Sequence, residues 1–277
     1  MASLLALGAA LTWGAGDFLA GVVSRRIGVL TVLALSQAIG LVGVVLWVVV
    51  AQDPFPGVSE LLPAAAAGVS GVIGLAALYR GFAVGAMGII APISAAAPLV
   101  PLTVDAAHGI TPTSAQWLGI ALVLTGVVTL SREPSPLGGQ RVGAGVGLAL
   151  VAALGFGGFI VGLDAGADES ATWAVVAARG AEVLTAFLAV AFTSTSLRAP
   201  RRLWPPIVAV GVFDTSANVA VAFATTKGAA GIVAVLSALY PVVTVLLARL
   251  ELDERLSPAR RVGGAITLVG AALVAVG

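Results

Sequence analysis

Apolar residues come in runs of about 20 along this chain, separated by short clusters of Arg, Pro, Gly, Ser and Asp. A run of about 20 apolar residues makes a helix long enough to cross the hydrocarbon of a bilayer. The pattern therefore predicts an all-α polytopic membrane protein. Breaking the chain at its charge, Pro and Gly clusters gives ten transmembrane helices. They fall near Ser3–Val23, Gly28–Ala51, Leu61–Phe82, Val84–Val104 and Thr113–Leu130, then Val142–Leu163, Ala171–Phe192, Leu203–Ala224, Ala229–Leu250 and Arg261–Val276. The fifth and tenth follow the start signals Thr111-Pro112 and Ser257-Pro258. The first is too long for a signal-peptide core and is followed, not preceded, by basic residues, so it is expected to be retained.

The fourth and ninth runs carry prolines and resemble each other. "GIIAPISAAAPLV" from Gly88 returns as "GIVAVLSALYPVV" from Gly231, a shift of 143 positions. Ser94 then falls on Ser237 and Pro98 on Pro241, while Pro92 and Pro101 have no counterpart. At the same shift "ALTWGAG" from Ala10 falls on "ALGFGGF" from Ala153. The spacing predicts two halves, residues 1–136 and 137–277, of five spans each, joined by "SREPSPLGGQ". Five is odd, so the second half enters from the opposite side and the two five-helix repeats are inverted. Inverted repeats with interrupted helices are the pattern of secondary transporters.

Composition narrows the function. The chain has 277 residues, 59% hydrophobic and 10% charged, with mean hydropathy +1.09. It holds no cysteine and one histidine, His108, which removes disulfides, thiolate metal sites and His-rich metal centres. A net charge of +1 suggests no nucleic-acid partner. Neither a cofactor nor a metal is expected. "GAGDFLAG" has glycines without a basic residue in a phosphate-loop position, so it is not a nucleotide site. Twelve arginines flank the connections after the odd spans, and Lys227 alone lies in the others. This bias places both termini on the exterior. An Arg-rich, Lys-poor chain points to a GC-rich bacterial genome, so with its apolar spans a multi-pass place in the bacterial cell (inner) membrane is expected.

The stretch "AFATTKGAAGIVAVLSALYPVVTVLLARLELDERLSPARRVGGAITLVGAAL" from Ala222, together with "LTWGAGDF" near the start, resembles the EamA-type members of the drug/metabolite transporter superfamily. Glu254 falls at that family's loop glutamate; in the first half, His108 and "GITPT" stand where a second would be. The resemblance implies export of small metabolites, amino acids or drugs by alternating access, without a covalent cofactor.

An ionisable group at a helix centre costs about 2.5–3.5 kcal/mol on insertion scales, so each needs a reason. Asp214 is at the middle of the eighth span, with Asn218 one turn on, and has no counter-charge nearby in sequence. It is the leading candidate for a coupling proton or a cationic substrate. Asp17 lies about one turn past the centre of the first span. Arg179 and Glu182 are three apart in the seventh and are expected to neutralise each other as an intrahelical salt bridge. Gln37 is expected to hydrogen-bond between helices. Trp13 and Tyr240 lie well inside their spans and are candidates to line an amphipathic cavity; Trp47, Trp117, Trp173 and Trp204 read as interface anchors. Gly119/Gly126 and Gly263/Gly270 are seven apart and mark close-packing faces. Pro98 and Pro241 cannot donate to the carbonyls of Ser94 and Ser237, so each pair is a candidate hinge with exposed polar atoms. Two other readings compete with a transporter. An intramembrane enzyme would need clustered acids or a Ser/His arrangement, and a scaffold would leave the cost of Asp214 unexplained.

Overall fold

The computed structural model describes residues 1–84, 93–131, 142–251 and 257–277. Every element among them is helical: α1 Ala2–Ser24, α2 Val29–Ala51, α3 Val58–Val84, α4 Leu99–Ala107, α5 Ser114–Ser131, α6 Val142–Ala167, α7 Ala171–Thr193, α8 Trp204–Thr225, α9 Ala230–Ser237, α10 Tyr240–Glu251 and α11 Pro258–Val276. Among the described residues, six helices are long and apolar enough to cross a membrane, within α1, α2, α3, α6, α7 and the α8 region. Large side chains stay exposed on their outer faces, among them Trp47, Val50 and Phe192. In water such a surface would aggregate; in lipid it is the solvated one.

The ends follow local chemistry. α5 begins with a reciprocal cap: Gln116 N donates to Thr113 Oγ1 at 3.2 Å, and Thr113 N donates to Gln116 Oε1 at 2.9 Å. This capping box makes Thr113 the cap and Ser114 the first helical residue, one position past the expected start at Thr113. α7 is capped by Ser170, whose hydroxyl accepts from Trp173 N. α11 starts at Pro258, within the Ser257-Pro258 start signal and three residues before the expected Arg261.

The ninth span is not one kinked helix. α9 ends at Ser237 and α10 starts at Tyr240, so Pro241 occupies the first turn of a new helix, where a missing N–H costs nothing. In the first half the turn 95–98 precedes α4, with Pro98 as its N-cap. The expected exposed carbonyl at Ser94 is taken: Ala97 N donates to it at 3.1 Å. Gly88, Pro92, the linker after Ser131 and Glu254 lie outside the described residues.

Packing relies on small residues, which let helix backbones approach closely. α5 and α11 pair along their glycines: a methyl on Gly119 would lie 2.7 Å from the Gly270 carbonyl oxygen, and one on Gly126 2.6 Å from Thr267 N. The remaining neighbours come in sets. α3 packs on α6 and α1 on α8; α3 on α7 and α2 on α8; α4 on α6, and α9 and α10 on α1; α2 lies on α7 and α4 on α9. Individual contacts repeat at the shift of 143. Gly14 abuts Val243 and the Tyr240 carbonyl, and Gly157 abuts Val100 and the Ala97 carbonyl. Gly68 lies against Ala178, and Gly211 against Ser36 and Gly40.

Candidate functional site

Charge inside the bundle is concentrated where α2, α7 and α8 meet. Arg179 on α7 has a side chain only 1% exposed. Its Nη1 donates to Glu182 Oε2 one turn away at 2.9 Å, to Asp214 Oδ2 on α8 at 2.6 Å, and to Gln37 Oε1 on α2. Gln37 closes the ring by donating from Nε2 to Asp214 Oδ2 at 3.3 Å. Opposite charges held in contact offset part of the cost of removing each from water. The Arg179–Glu182 salt bridge and the interhelical role of Gln37 are as expected. The isolation of Asp214 is corrected: its counter-charge is Arg179, 35 residues away in sequence.

The backbone brings these groups together through glycines. Gly40 on α2 and Gly211 on α8 lie face to face, three residues beyond Gln37 and three before Asp214. A side chain at either would push the two helices apart. Gly16 on α1 packs against Phe213 and the backbone of Asp214, so Asp17 stands at the level of Asp214, with its own side chain exposed. One turn back on α1, Trp13 meets Tyr240 of α10 edge to face, with ring centroids 6.4 Å apart. Two residues that were each candidates to line a cavity are thus brought into contact from helices far apart in sequence, one turn from Asp17.

The remaining candidates are interior. Asn218 is 2% exposed, and its Oδ1 makes no hydrogen bond with the described residues; the same holds for the Ser237 hydroxyl, 1% exposed. Ser94 and Pro98 are also buried. Trp47, Trp117 and Trp204 are exposed near helix ends, as interface anchors should be. Trp173 is different: its indole N–H donates to the Asp53 carbonyl and its ring stacks edge-on against Phe55, so it holds a loop to α7.

Sequence reasoning missed Asp105, which caps α9 from the other half of the chain. Its carboxylate accepts from Gly231 N at 2.7 Å, and the residue is 7% exposed. Asp105 is one position past the expected end of the fourth span, where an acid passes for a solvated loop residue. A cavity of about 240 Å³ opens beside it, lined by Ser3, Thr111, Gln116 and Gly228 among others. It lies apart from the Arg179 cluster. No group of three or more acids and histidines able to hold a metal occurs among the described residues.

A chain whose described elements are all helical, with long apolar helices and an ionic cluster buried between them, is built as a multi-pass membrane protein. The model of the EamA-like transporter family matches residues 1–132 and again 143–276. The chain belongs to that family. A protein known from a crystal structure, 20% identical to this chain, matches 98% of this chain and 95% of its own with a TM-score of 0.79; it has the same fold. A comparison with curated proteins returned no match.

Proposed function

We propose that this protein is a secondary transporter that exports small organic metabolites across a bacterial cell membrane by alternating access. The observation that carries this reading is the ionic cluster at the midpoints of α2, α7 and α8, with Asp214 29% exposed while Arg179 is closed off. A purely structural ion pair would be best sealed; an open carboxylate at that depth is a place for a substrate or a coupling proton. In this reading the described helices belong to ten spans. The fourth ends in α4, the ninth is α9 and α10 together, and the two five-helix halves, residues 1–136 and 137–277, are inverted. The exchange of partners at the shift of 143, Gly14 on Val243 and Gly157 on Val100, favours two halves related by rotation. The turn 95–98 and the break between α9 and α10 put a non-helical step beside Pro98 and Pro241 in each half, and discontinuous helices are typical of transporter sites. Trp13, Tyr240, Asp17, Asn218, Ser94 and Ser237 complete the substrate path.

The direct test is reconstitution of the full chain in vesicles, screening amino acids and small aromatic metabolites with and without a pH gradient. Saturable uptake raised by the gradient is expected. Uptake no greater than in empty vesicles, for every compound in the panel, would count against transport. Orientation has its own test. A reporter active only in the cytoplasm should work when inserted after Arg26 and stay silent at Gly277, and the reverse pattern would put both termini inside.

A further inference from the structure

Arg179 is engaged on one side and unused on the other. Its Nη1 alone carries both ion pairs, to Glu182 Oε2 and Asp214 Oδ2, one for each of the two hydrogens of an –NH2 group. Nη2 and Nε, buried with it, make no hydrogen bond with the described residues. Neither ion pair uses the two-pronged fork that locks an arginine onto a carboxylate. The guanidinium is therefore shared between competing anions.

Those anions are not equivalent. Glu182 is 9% exposed and sits on the same helix as Arg179, while Asp214 is 29% exposed and reaches in from α8. If Asp214 is taken by something else, Arg179 still has Glu182 one turn away. Charge points to what that something is. With both carboxylates ionised the cluster carries a net single negative charge, and only a monocation makes it neutral. Asp17, exposed on α1 at the same level and outside the hydrogen-bonded ring, adds a negative field that further disfavours an anion.

We propose that Arg179 is a tethered internal counter-ion, which an organic monocation displaces from Asp214 and which falls back onto Glu182 as the cation binds. The inference rests on the transport reading, since it takes Asp214 as the substrate site. Arg179 then acts as a positioning residue: it neutralises Asp214 in the empty site, and its return to Asp214 drives the cation off. Substrates would be selected for one positive charge and an apolar body that fits beside Trp13 and Tyr240.

The test is equilibrium binding of N-methylacridinium, a fluorescent monocation, to the purified full-length protein and three variants, each checked for a single monodisperse species. Arg179→Gln with Glu182→Gln removes the competitor at unchanged net charge and should tighten binding about tenfold. Glu182→Gln alone removes the fallback and ties Arg179 to Asp214, so it should weaken binding about tenfold. Asp214→Asn should abolish binding. Shifts of the first two variants in the same direction, or none, with Asp214→Asn still inactive, overturn the displacement while leaving the transport site in place. Wild-type affinity in Asp214→Asn would remove that site itself. Absence of binding in all four proteins overturns the monocation assignment. Should the double variant fail to fold, Glu182→Gln decides alone: unchanged or tighter binding is contrary to the proposal.

Discussion

The two halves of the chain match in their packing residues and differ in their charges. At the shift of 143, Gly14 and Gly157 stand at equivalent places and meet the equivalent residues Val243 and Val100, while Gly68 and Gly211, also equivalent in sequence, each press on a neighbouring helix, at Ala178 and at Ser36. The same shift sets Arg179 on Ser36, Glu182 on Ile39, Asp214 on Gly71, Asp17 on Ile160 and Gln37 on Gly180. Where the second half has Asp214, the first has a glycine lying against the Phe159 ring. What is duplicated builds the bundle; what is not duplicated builds the ionic cluster. Small residues at crossings are needed twice because each half must close on the other. Charge is needed once, where the halves share a single interior.

This contrast can be broken most severely at Arg179. Arg179→Met leaves Glu182 and Asp214 facing each other without a cation, so thermal unfolding in detergent should reveal a loss of about 3–5 kcal/mol. Ser36→Met, at the corresponding position of the first half, carries no such charge penalty. A loss below about 1 kcal/mol at Arg179 would mean that the cluster is solvated and not a buried ion pair.

Smaller effects are expected at the duplicated glycines, and they should come in equal pairs. A methyl on Gly14 would lie 2.7 Å from the Tyr240 carbonyl oxygen, and one on Gly157 2.6 Å from the Ala97 carbonyl oxygen. Gly14→Val and Gly157→Val should each cost about 1–3 kcal/mol through overpacking. Gly8 has nothing within 4 Å of an added methyl, and Gly8→Val serves as the control. Strongly unequal losses at Gly14 and Gly157 would break the correspondence between the halves.

The prolines should matter least to stability. Pro98 caps α4 and Pro241 lies in the first turn of α10, positions that proline suits. Replacing either by alanine should change stability by less than about 1 kcal/mol. In Pro241→Ala the restored N–H can donate toward Ser237 and join α9 to α10, slowing turnover about threefold if the break is used as a hinge. Unchanged turnover in the double alanine variant at equal expression would reduce both to packing features.

Much of this was legible in the sequence, for identifiable reasons. The six long helices announce themselves because a run of about 20 apolar residues has few alternatives. The Gly119/Gly126 and Gly263/Gly270 faces were legible because glycine at a spacing of seven has one obvious use. The broken spans were not, since a proline within an apolar run says that a break exists without fixing its register: the structure puts it before Pro241 instead of around it. The cluster was half legible. Arg179 and Glu182 are satisfied by their own i, i+3 spacing, which hides the third partner. That Asp214 joins them depends on how α7 and α8 lie together, and the close approach of Gly40 and Gly211 that positions α8 on α2 leaves no trace in hydrophobic periodicity.

The central claim is that the unduplicated charge at Asp214 is where transport happens. The most direct measurement is concentrative uptake into vesicles by Asp214→Asn, which preserves shape and removes charge, using a substrate transported by the wild type. Uptake at the level of empty vesicles, from a variant that remains folded, is the predicted result. Accumulation at the wild-type rate with the same response to a pH gradient would contradict it, and would leave Asp214 as a structural partner of Arg179.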